Sequence, residues 1–191
     1  MSDTITDFKN PKSITLKIGV VYLDSYKNAD DQGLIAKTRE VLAKYNIKLD
    51  VFPENVHKSA FNTIYSNETI KDDKEIYTRV YKAAKEKLKQ MGCPYAIPQP
   101  VVFGQKECGG YGIAPRVTGQ LTPRLIMIQP GVVNADKMTL LHELGHVAGL
   151  EHDLTKGSPR NFMHEADADL ARTVIYKYQV EALAKVPFAI G

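Results

Sequence analysis

Two periodicities alternate along this chain. From Ser13 to Asp24 (SITLKIGVVYLD) Ile, Leu and Val recur as they do in a core strand. From Asp30 to Tyr45 the spacing lengthens, and Leu34, Ile35, Thr38, Val41, Leu42 and Tyr45 fall on one face of a helix. Ile47 to Pro53 (IKLDVFP) is a second strand, stopped by its proline. A strand–helix–strand order predicts a parallel pair joined by a crossover helix. Asn62 to Ile70 shows neither period and is expected to be loop.

The pattern continues with a helix from Asp72 to Gln90, opened by an acidic cap with Glu75 at the reciprocal capping position. Ile76, Val80, Ala84, Leu88 and Met91 form its inner face. Strands follow at Pro98–Gly104 and Pro123–Pro130. Gly110–Arg116 between them suits a short edge strand, because Pro115 fits poorly in a central one. A third helix begins at Asn134, which can cap it, with Asp136 in the first turn. A last helix runs from Tyr176 to Val186 and is stopped by Pro187; Ala166 to Ile175 is either loop or an earlier part of it.

Composition narrows the classes. A chain of 191 residues, 43% hydrophobic and 25% charged, builds one globular domain with a substantial core. A net charge of +3 is too small to argue for a nucleic-acid partner. The second helix carries seven lysines and arginines between Lys71 and Lys89, but four acids dilute them, so this is a solvated face. No apolar run approaches a membrane span, and the polar start MSDTITDFKNPKS has no signal-peptide core.

The chemistry concentrates in LLHELGHVAGLEHD, Leu140 to Asp153, which holds three of the five histidines. His142 and His146 are four apart, one above the other on a helix face, and can grip one ion. A tetrahedral site needs its third ligand from another direction. Gly149 can turn left-handed, end the helix and let His152 approach the same ion. Three neutral histidines and a water form an open zinc site of the catalytic kind, with one Zn2+. Glu143 stands beside the first ligand, placed to take a proton from the attacking water and return it to the leaving amine. Such a five-residue match arises by composition in roughly one in a hundred thousand chains of this size, which sets coincidence aside.

His142, Glu143, His146, Gly149 and His152 fill H-E-x-x-H-x-x-G-x-x-H, which resembles the zinc signature of the metzincin metalloproteases. Asp153 after the third histidine, and the wording HELGHVAGLEHD, are similar to the adamalysin (reprolysin) branch. The resemblance implies a methionine in a tight turn beneath the zinc, for which Met163 in SPRNFMH is the candidate; Glu165 stands where other branches carry a tyrosine. It implies an α/β fold with a twisted mixed sheet, two backing helices, a zinc-binding active-site helix, and a small C-terminal lobe holding the Met-turn and a terminal helix. The whole chain, 1–191, is then one catalytic domain, with an upper lobe of 1–149 and a lower lobe of 150–191. The lower lobe is small for an adamalysin and lacks multiple disulfides, as in a compact microbial or phage relative. The resemblance also implies a lowest edge strand along the cleft, which Gly112, Ile113 and Ala114 would form for substrate.

Other residues carry less. Cys93 and Cys108 flank the third strand as either a disulfide or two free thiols. His57 is isolated, His164 suits a structural hydrogen bond, and Asp153 braces the turn without binding the ion. Met1 to Lys12 is either a frayed terminus or a short plug whose Asp3 or Asp7 reaches the cleft. The reading is a monomeric zinc endopeptidase acting on a peptide or protein, exported by a route without a signal peptide or held by an inhibitor or immunity protein. Its rival is an inactive homologue that keeps zinc and serves as a peptide- or partner-binding module.

Overall fold

The computed structural model describes residues 9–23, 31–53, 60–61, 74–103, 112–113, 125–128, 137–153, 160–164 and 172–191. Strand β1 (Ile14–Leu23) is its centre, with Leu16, Ile18, Val20 and Val21 fully buried. It pairs in parallel with β2 (Ile47–Phe52), from Ile14 opposite Ile47 to Gly19 opposite Phe52, and on its other side with β4 (Gln99–Phe103). Its first half alternates, with Thr15 and Lys17 half-exposed between buried Ile14, Leu16 and Ile18, and from Gly19 to Tyr22 it is buried on both faces. Helix α1 (Asp31–Ala43) makes the expected connection and buries Leu34, Ile35, Thr38, Val41 and Leu42.

Beyond β4 the sheet continues with β6 (Ile126–Ile128), parallel, and ends at β5 (Gly112–Ile113), antiparallel to β6. Two further strands extend β1 at its ends. Tyr22 and Leu23 pair in parallel with β3 (Ala60–Phe61), and Thr15 and Leu16 pair antiparallel with β7 (Ala189–Ile190). Neither was expected, because two residues are too few to show a period. Strand β7 returns the end of the chain to the sheet after helix α4 (Lys177–Ala184), aided by the Lys17 N–H donating to Phe188 O at 3.0 Å. Val186 and Phe188 are buried on this return, and Pro187 keeps Val186 out of helical backbone, so α4 ends at Ala184.

The two helices expected behind the sheet divide between its faces. Helix α2 (Lys74–Gln90) packs Val80, Ala84 and Leu88 against Val21, Val102, Leu125 and Met127. Helices α1, α4 and α3 (Thr139–Val147) share the opposite core with Leu16, Ile18, Val20, Val101, Phe103 and Ile126. Strand alternation explains the split, since neighbouring residues such as Val101 and Val102 face opposite sides. Helix α3 starts later than expected. Lys137 holds a left-handed φ of 52° and Met138 is the N-cap. A residue in that conformation cannot continue a right-handed helix, so α3 does not extend back through Lys137. Every residue of α3 is buried, so packing on all sides replaces the missing side-chain cap. The expected loop Asn62–Ile70, Asp72, Ala114, Asn134, Asp136, His57, Cys108, Glu165, Asp3 and Asp7 lie outside the described residues.

Tyr45, just past α1, joins distant parts of the chain: the Ile175 N–H donates to its hydroxyl at 3.0 Å. Tyr45→Phe keeps the ring and removes that acceptor. A half-buried donor left without its partner should cost about 1 kcal/mol, read by chemical denaturation.

Candidate metal centre

The site is built where α3 ends. Gly149 has φ +85°, and its N–H donates to His146 O at 2.9 Å, while the Leu150 N–H reaches back to Gly145 O at 3.0 Å. These paired bonds are a Schellman close, which needs a residue at ease in the left-handed region. The chain then reverses and carries His152 to the histidines of the helix. The Nε2 atoms of His142 and His146 are 3.1 Å apart, His146 and His152 3.1 Å, and His142 and His152 3.2 Å.

The other ring nitrogens decide what those Nε2 atoms offer. His142 Nδ1 lies 2.8 Å from Phe162 O, and His146 Nδ1 2.9 Å from Leu150 O. A carbonyl only accepts, so in each neutral ring Nδ1 carries the proton and Nε2 a lone pair. A neutral His152 can supply at most one proton to such a cluster. Lone pairs gathered this closely repel unless they share an electrophile. Ligand nitrogens tetrahedral about one zinc would stand about 3.3 Å apart, near the spacing observed. The three histidines therefore fit a single metal ion. His142 is also kept neutral: burial, foremost, pushes its pKa from 6.5 down to about 3, against the pull of Phe162 O, with His146, Arg172 and His152 adding to the depression.

Glu143 is 4% exposed, next to His142 on the same helix, and is not in the histidine group. It is engaged with its surroundings, while its Oε2 is buried and accepts no hydrogen bond from the protein. Met163 is fully buried in a tight turn, where the His164 N–H donates to Asn161 O at 3.0 Å and the Met163 N–H to Asn161 Oδ1 at 2.9 Å. Asp153 meets this turn through its backbone N–H, which donates to Met163 O at 2.9 Å. Gly112 and Ile113 form the end strand of the sheet. Cys93 is a free, half-buried thiol whose pKa burial raises.

Three features escaped the sequence reading. Gly145, inside the motif, faces the turn so closely that a Cβ there would overlap Met163 Sδ and come within 2.7 Å of the Phe162 ring. A glycine in mid-helix, normally unfavourable, was the available signal. Asn161 and Gln179, both buried, exchange amide hydrogen bonds of 2.8 and 3.0 Å, and Gln179 Oε1 also accepts the Tyr176 N–H at the start of α4. Arg172, 3% exposed, donates from Nη1 to His164 O at 3.0 Å and lies 3.5 Å from His142 Nδ1. No local pattern marked these residues.

Fold and site together define a mixed α/β protein, with a largely parallel sheet and four helices among the described residues, carrying a three-histidine group able to hold a metal ion. No family model matches the chain, and no curated protein sequence does. Among solved structures it is similar to a chain of a chaperone–substrate complex, with TM-score 0.56 and 13% identity over 90% of its own length. It spans 33% of that longer chain, and the likeness is one of fold. Archaemetzincin from Methanopyrus kandleri superposes with TM-score 0.46 and 12% identity, over 88% of this chain and 94% of that one, too loosely to establish a shared fold.

Two outcomes follow from the geometry. Gly145→Ala should force Phe162 and Met163 away from α3, at an overpacking cost of about 1–3 kcal/mol, with reduced metal content per chain. Thermal unfolding and metal analysis test it. In the metal-free protein, an unfolded His142 binds a proton below pH 6.5 that the folded one refuses until about pH 3. The stability this contributes is complete above pH 6.5 and is lost as pH falls toward 3. Acid unfolding of chelated protein should show this decline, and His142→Gln should flatten it.

Proposed function

We propose that the protein is a zinc-dependent endopeptidase, with residues 1–191 acting as one catalytic unit. The observation that carries this reading is the convergence of three Nε2 atoms within 3.2 Å, two of them with their tautomers set by backbone carbonyls. The resemblance of His142 to Asp153 to the metzincin signature points the same way. In this reading His142, His146 and His152 hold the ion, which supplies Lewis acidity toward a peptide carbonyl and toward water. Glu143 is the general base: a carboxylate oxygen takes the proton from the attacking water and gives it to the leaving amine nitrogen. Its burial strengthens this proton transfer by keeping bulk water from competing.

Met163 packs beneath the ligands, Gly149 turns the chain and Asp153 ties that turn to the methionine. Strand β5 has β6 on one side, and no described strand on the other. An extended substrate would add there through main-chain hydrogen bonds from Gly112, Ile113 and Ala114. Inhibitor or immunity partners and export remain part of the proposal.

Glu143→Ala should retain one zinc per chain and lower turnover of an unfolded protein substrate by at least ~100-fold. Near-normal proteolysis would remove Glu143 from the mechanism. His152→Ala should lower zinc affinity, and one equivalent held as tightly as before would exclude it as the third ligand. Ile113→Pro should leave zinc content unchanged while cutting peptide cleavage sharply, because it removes a main-chain donor from the proposed substrate edge.

A further inference from the structure

The turn at 161–164 supplies the carbonyl that orients His142, so whatever fixes the turn also fixes the ligand. Beside the main-chain bonds from the Phe162 N–H to Val174 O and from the Asp153 N–H to Met163 O, two side-chain devices hold it. On the side of α4, Asn161 and Gln179 exchange amide hydrogen bonds. On the side of the histidines, the Arg172 guanidinium donates to His164 O and passes 3.5 Å from His142 Nδ1. Only the second device touches a proposed ligand.

We infer that Arg172 is a positioning residue for His142: by clasping His164 O beside the imidazole, it holds Phe162 O where it receives the Nδ1 proton and so keeps Nε2 available to the metal. This deepens the zinc reading and rests on it. The planar guanidinium suits the place. It is a fixed multiple donor whose Nη1 is committed to His164 O at 3.0 Å; at 3.5 Å from Nδ1 it competes weakly as a donor to that nitrogen, and Phe162 O at 2.8 Å wins the Nδ1 proton. With Phe162 O only 2.8 Å from Nδ1, the alternative tautomer would set a ring lone pair against a carbonyl lone pair. A turn free to shift would remove that penalty and let the ring populate both tautomers. Gln179, which braces the same turn without touching a histidine, is the internal contrast.

The test uses the full chain. Zinc affinity is measured by competition with a chromophoric chelator, and the His142 tautomer by imidazole nitrogen shifts in the metal-free protein. Arg172→Met should lose roughly 10–100-fold in affinity, the scale for removing a group that orients a metal ligand, and should mix the tautomers. Arg172→Lys, which keeps a cationic donor for His164 O, should retain the Nδ1–H tautomer and recover most of the affinity. Gln179→Leu should lower unfolding stability with a smaller change in affinity. If Arg172→Met does not fold, Arg172→Gln, too short to reach the carbonyl, replaces it with the same expected loss. Wild-type affinity and tautomer in the methionine or glutamine variant would overturn the inference, as would a lysine variant that falls as far as methionine. A wild-type protein that binds one zinc but cleaves nothing sinks the peptidase reading alone. One that binds no zinc sinks both the zinc reading and the affinity arm, and the tautomer comparison then decides whether Arg172 orients His142.

Discussion

The hydrogen bond from His142 Nδ1 to Phe162 O, 2.8 Å long, joins the two halves of the site. An imidazole can offer a metal only the nitrogen its other bond leaves free. This bond therefore sets the tautomer and the ring plane of the first histidine, and it ties α3 to a turn twenty residues away. His146 repeats the device at short range on Leu150 O, closing the helix end with its own side chain. The carbonyls that receive these protons exist in position only when the chain has folded around them. Site geometry and fold are consequently one event, which is how metal affinity and folding free energy become coupled.

That coupling places a heavy demand on α3. A nine-residue helix is marginal by itself, and this one has no side-chain cap and a glycine in its interior. It persists because every residue is buried, with Leu140, Leu141, Leu144 and Val147 in the main core. Gly145 weakens the helix locally by about 1 kcal/mol relative to alanine. In exchange, the Phe162–Met163 turn approaches closely enough for its carbonyl to reach His142. Any larger residue would move the acceptor away from the ring it orients.

Much of the frame was legible because it is periodic. The apolar run of β1, the one-sided face of α1 and the 47–52 strand lie close to where their patterns put them, and the parallel pairing of β1 with β2 follows from their order. The meeting of His142, His146 and His152 was legible for a related reason: helical spacing and a turning glycine convert sequence distance directly into space. Where this conversion failed, the controlling contact was long-range. A good cap at Asn134 predicts an earlier start for α3, but Lys137 turns left-handed and packing decides the boundary. Strands β3 and β7 are made by pairing with β1, and two residues carry no signal of that. Arg172 reads as an ordinary charged residue until the turn closes over it.

The same distinction explains why the C-terminal segment matters to the site beyond supplying His152. It is anchored at separated points: β7 lies along Thr15 and Leu16 of the sheet, the Ile175 N–H donates to the Tyr45 hydroxyl just past α1, and within the segment the Phe162 N–H donates to Val174 O at 3.0 Å. Each bond alone is worth only about 1 kcal/mol. Together they leave the turn little freedom to slide relative to α3, and sliding is the motion that would separate Phe162 O from His142. A histidine group drawn from a helix and a returning loop keeps its geometry only if both are anchored to a common body. Here that body is β1, which lies in one core with α3 and pairs directly with the strand that ends the chain.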